Sequence, residues 1–90
     1  MKKYRIIAQQ TPFSFTTPIV LIREAKDRTE AYINTYFELS GKGYNVQGRL
    51  YTGDAEALNI DTERVKKSLP EDFNTSSMVI FRSIQEFNNQ

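Results

Sequence analysis

Polar and apolar residues alternate over residues 4–8, with Tyr4, Ile6 and Ala8 on one side and Arg5 and Ile7 on the other. A period of two predicts a first strand. Gln9-Gln10-Thr11-Pro12 reads as a turn. Phe13, Phe15, Thr17, Ile19 and Leu21 then mark out a second extended run, in which Pro18 demands an edge position or a break because it donates no ladder hydrogen bond. Residues 19–22 are apolar on both sides, which predicts a strand buried on both faces.

The period changes after Asp27-Arg28-Thr29-Glu30, a capping-box spacing with Asp27 in the place of the usual Ser or Thr. The helix that follows is expected to bury Tyr32, Ile33, Tyr36 and Phe37 along one stripe, and Gly41 and Gly43 offer left-handed positions to end it. Residues 44–51 predict a third strand with Tyr44, Val46, Gly48 and Leu50 on one side, Gly48 marking a bulge or a close backbone approach. Asp54 can cap a short turn reaching Leu58. Asp61 can cap a helix containing Val65 and Leu69, which Pro70 ends. A turn at 74–77 and a last strand at 78–84 complete the pattern, and the tail at 87–90 is expected to fray.

These elements make an α+β domain in the order β-β-α-β-α-β, a mixed sheet of about four strands with two helices on one face. A right-handed crossover through the first helix places the second and third strands parallel, and a ferredoxin-like arrangement is one way to close the sheet. Ninety residues are the size of one domain, so the whole chain, 1–90, is read as a single unit. Six Phe and five Tyr, within a hydrophobic fraction of 39%, are enough for a core without covalent staples.

Composition narrows the chemistry. The chain has no Cys, which removes disulfides, thiolate nucleophiles and thiolate zinc ligands. It has no His either, so the usual general base near neutral pH and the commonest metal ligand are missing. No catalytic constellation and no cofactor motif can be drawn. Asp54 with Glu56, and Asp61 with Glu63, lack the dense oxygen spacing of a calcium loop and read as first-turn acids that complement a helix dipole, so no metal site is assigned. Lys2 and Lys3 are followed by no signal-like apolar segment, and the longest apolar run, at 19–22, falls far short of the roughly 20 residues that cross a bilayer. A cytoplasmic location, with no membrane partner, is the expectation.

Two binding surfaces emerge. Phe13 and Phe15, set among small hydroxyl residues and bracketed by Pro12 and Pro18, suggest an apolar anchor for another protein chain, the simplest partner being a second copy in a symmetric homodimer. Lys42, Tyr44, Arg49 and Tyr51 interleave cations with rings that can stack on single-stranded RNA or DNA bases. The net charge of +1 weighs against nucleic acid, whose non-specific affinity comes from phosphate neutralisation, although residues 1–53 carry eight Lys/Arg against four Asp/Glu. The leading expectation is a non-catalytic protein-interaction or regulatory module, with a single-stranded nucleic-acid binder as the alternative.

Overall fold

The computed structural model describes residues 1–10, 16–46, 56–69 and 79–87. They form β1 (Lys2–Gln10), β2 (Ile19–Ala25), α1 (Arg28–Gly41), α2 (Thr62–Ser68) and β3 (Val79–Glu86), with a helical turn at 56–58. The result is a small compact α+β domain. Among the described residues the sheet has three strands in the order β2-β1-β3, and both pairings are antiparallel.

β1 occupies the centre because it is paired along nearly its whole length on both sides. On one edge Ile6 faces Leu21 and Ile7 faces Val20; on the other Ile6 faces Ile84 and Ile7 faces Ser83. Ala8 then faces Phe81, so Arg82 is the extra residue of a bulge in β3. The alternation expected of β1 is present: Tyr4, Ile6 and Ala8 are buried, Arg5 is exposed and Ile7 half-buried. Phe87, expected in a frayed tail, instead donates its N–H to the Lys3 carbonyl at 2.7 Å and prolongs the pairing.

The buried side of the sheet meets α1 and, beside it, α2. Asp27 caps α1 by accepting the Glu30 N–H at 2.8 Å. The helix ends in a Schellman arrangement in which the Tyr44 N–H bonds to Leu39 O and the Gly43 N–H to Ser40 O, with Gly43 at φ +95°. Gly43 is thus the left-handed residue, while Gly41 is still helical. The buried stripe also differs from expectation. Tyr32 and Tyr36 are inside, but Ile33 is half-buried and Phe37 is 53% exposed. Ala31, Thr35 and Leu39 take the inner positions instead. The helix is rotated so that small side chains bring its backbone close to the sheet, and Tyr32 fills the space against Phe81, ring centroids 4.4 Å apart. Thr35 Oγ1 is buried with no hydrogen-bond partner among the described residues, a local cost of about 1–3 kcal/mol.

β2 carries the main correction. Its apolar run predicts burial on both faces, yet Val20 is 51% and Ile22 42% exposed. Among the described residues β2 is an edge strand, and no helix covers that side of the sheet. The expected third strand lies outside the described residues from position 47 onward. Val46, its last described residue, is buried and forms one parallel bridge to Val79. A ferredoxin-like fold begins β-α-β, whereas the first two described strands here pair directly and antiparallel. The second helix forms from its Asp61 cap, with Val65 buried inside it and Leu69 buried at its C-cap. No described helix is long and apolar enough to cross a membrane.

The phase of α1 is testable by two substitutions. Tyr32→Ala removes a fully buried ring and is expected to cost about 3–5 kcal/mol in urea denaturation. Phe37→Ala, on the exposed side, is expected to change stability by less than about 0.5 kcal/mol. Comparable losses from both would restore the stripe read from the sequence.

Candidate functional site

Phe13 and Phe15 lie outside the described residues, as do Arg49 and Tyr51. Of the basic-aromatic set, Lys42 and Tyr44 are described. Lys42 is the C-cap of α1, and its Nζ pairs with Glu38 at 3.4 Å, so part of its charge is spent within the fold. Tyr44 is the residue that closes the Schellman arrangement, and it is 40% exposed. Helix termination accounts for the placement of both.

Two other places on the molecule gather functional groups. The first is an open cleft of about 500 Å³ where the N-termini of α1 and α2 meet the start of β1 and the end of β3. Its lining includes Lys2, Arg28, Arg64, Asp27, Asp61 and Glu86, three cations and three carboxylates. Most of these groups hold the fold together. Arg64 Nη1 lies 2.9 Å from Asp27 Oδ2, linking the two helices, and the Asp61 N–H donates to Thr29 Oγ1 at 2.9 Å. Asp61 also caps α2 through the Glu63 and Arg64 N–H groups. The Arg28 guanidinium sits over the Tyr4 ring, 5.9 Å from its centroid, and donates to Ile84 O at 2.7 Å.

The Glu30 backbone N–H and then Arg64 hold the Asp27 carboxyl below the usual range, while its hydrogen bond to Asp27 raises Arg64. Both shifts deepen the charged state. A general acid or base working near neutral pH needs the opposite. Asp27, Arg28, Asp61 and Arg64 of the cleft are thus engaged in caps, hydrogen bonds and an ion pair. Among the described residues no group of three or more carboxylates could hold a metal ion.

The second place is the side of the sheet turned away from the helices. Alternation puts Lys3, Arg5, Ile7 and Gln9 of β1 there, beside Val20, Ile22 and Glu24 of β2. The register sets Ile7 against Val20, Arg5 against Ile22 and Lys3 against Glu24. At one end Gln9 is buried; its Nε2 donates to Thr16 O, and Arg82 Nη1 donates to its Oε1 at 2.8 Å. The remainder carries three aliphatic side chains in a row bordered by cations. A solvated face of an antiparallel sheet ordinarily alternates to polar residues. This one does not, and single-sequence periodicity missed it because an apolar run looks the same whether a strand is enclosed or left open.

β2 is held to the helical layer by one strong contact on its other side. Arg23 Nε and Nη2 donate to the two Glu38 oxygens at 2.8 and 2.7 Å, a bidentate pair. That hydrogen bonding, opposed by partial burial and helped by the Arg23 and Lys42 charges, lowers the Glu38 carboxyl to about 2.

A carboxyl whose folded pKa lies below its unfolded value of 4.5 adds stability that is complete above that value and vanishes as pH falls through about 2. Glu38→Gln is therefore expected to be less stable than the parent at pH 7, by at most about 1 kcal/mol for a surface pair, with the difference closing between pH 4.5 and 2. Guanidinium unfolding at several pH values checks this; a pH-independent difference would mean that Glu38 contributes by packing.

No family model, curated protein or solved structure matches the chain.

Proposed function

We propose that the protein is a non-catalytic interaction module that works through surface contacts, with the open face of its sheet and the outer edge of β2 as the docking surface. The observation that carries this reading is the exposure of Val20 and Ile22, 51% and 42%, beside Ile7 on a face that the described helices leave bare. Burying a Val or Ile side chain is worth about 1.5–3 kcal/mol. Folding leaves much of that unrealised here, and a partner can recover it.

β2 adds a second route to association. An edge strand presents unpaired backbone groups unless it is blunted by charges, prolines or bulges. Pro18 precedes β2 and Lys26 follows it, but between them the open side bears Val20, Ile22 and Glu24. Antiparallel pairing of two β2 strands across a two-fold axis would join the sheets of two copies, and this is the form the homodimer takes in this fold. Phe13 and Phe15 fall between β1 and β2 in the sequence, and remain the proposed apolar anchor for another chain. A fourth strand beside β3, entering at the Val46–Val79 bridge, would make the sheet mixed and widen it on the side away from β2. A nucleic-acid reading has less behind it, because Lys42 is paired with Glu38.

The test is the double variant Val20→Thr/Ile22→Thr, which keeps β-branched side chains suited to a strand. Its stability is expected to stay within about 0.5 kcal/mol per site of the parent, while any concentration-dependent dimer mass in light scattering is lost. A loss of several kcal/mol would show that both residues belong to a core and would remove the docking surface. Dimerisation that survives this variant but not Phe13→Ser/Phe15→Ser would move the interface to the β1–β2 connection.

A further inference from the structure

The charges around the open face specify its occupant. Lys3 and Arg5 project from the central strand among Ile7, Val20 and Ile22, and Arg82 reaches the same side from the β3 bulge. Glu24, at the β2 edge, is the one carboxylate in the β1 and β2 rows of this face. Neither the Lys3 ammonium nor the Arg5 guanidinium has a hydrogen bond or ion pair among the described residues, so both charges are available to a ligand. A second copy laid face to face would set these cations against their own equivalents, which disfavours that arrangement.

We infer that this face docks an acidic amphipathic helix of another protein, its apolar stripe on Ile7, Val20 and Ile22 and its carboxylates toward Lys3 and Arg5. The inference rests on the interaction reading above and adds the chemical class of the partner. Size supports a helix. The seven residues of β2 run about 23 Å, matched by about 15 residues of helix. Three strands are about 10 Å across between their outer axes, close to the diameter of one helix. The opposite side of the same sheet already accepts α1 in this way. A helix laid there would turn an open two-layer structure into three layers and cover the aliphatic row.

The experiment uses the full chain and two synthetic amphipathic peptides of about 15 residues with the same leucine stripe, one flanked by glutamate and the other by lysine. Backbone NMR shifts locate binding and titration gives affinity. The glutamate peptide is expected to perturb Ile7, Val20 and Ile22, to weaken as salt rises, and to bind about tenfold more tightly than the lysine peptide. Lys3→Glu/Arg5→Glu, both half-buried or exposed and so tolerated by the fold, is expected to reverse that order. Equal affinity for the two peptides overturns the acidic partner while leaving an apolar docking face in place. Absence of binding, or shifts confined to the helical side, overturns the helix-docking inference; the interaction reading is then judged separately by the Val20/Ile22 variant. Tighter binding of a single-stranded oligouridylate to the same face also overturns it, in favour of a phosphate backbone.

Discussion

The alternation of β1 is the constraint on which the rest of the structure depends. Because it pairs with β2 on one side and β3 on the other, its choice of faces becomes the choice of the whole sheet. A slip of one residue would turn Tyr4, Ile6 and Ala8 outward and bring Lys3 and Arg5 into the core. Burying two unpaired cations would cost more than a domain of this size has in total stability, about 5–15 kcal/mol. The bulge at Arg82 is consistent with this: it re-phases β3 so that both Phe81 and Ile84 face the helices, although they are three residues apart. Once the faces are assigned, α1 must cover one of them, and no described helix covers the aliphatic residues left on the other.

Local signals were legible in the sequence and long-range ones were not. The β1 strand, the Asp27 and Asp61 caps and the body of β3 follow from periodicity and from side chains that bond within three residues of themselves. The phase of α1 was misread because large apolar residues draw attention, whereas the inner face selects Ala31 and Thr35 for close approach and leaves Phe37 out. The cleft network joins Asp27 to Arg64 and Arg28 to Ile84, residues 37 and 56 positions apart, and no spacing rule announces such contacts. The exposed apolar row was hidden for a different reason. An apolar run states that a strand wants cover on both faces; it does not state whether the cover comes from the same chain.

That distinction joins the fold to the proposed function. The two faces of the sheet have been given different work. One is closed by α1 and by the ion pairs and caps that fasten α1 to α2 and to β2, so its ionisable groups are committed to structure: Glu38 to Arg23, and Asp27 to Arg64. The other keeps aliphatic side chains, and two cations, Lys3 and Arg5, whose side chains make no ion pair among the described residues. Asp27 and Glu38 are held in the charged form by the groups they bond to, and the proposed docking role draws on the exposed apolar area of Val20 and Ile22.

The two faces of the sheet differ in exposure, and methyl NMR in the presence of a soluble paramagnetic agent measures that difference directly. Strong broadening of the Val20 and Ile22 methyl signals, with Ile6 and Ile84 unaffected, is the result the account requires. Val20 and Ile22 methyls as well shielded as that of Ile6 would contradict it, because the sheet would then be enclosed on both sides and the docking face would not exist.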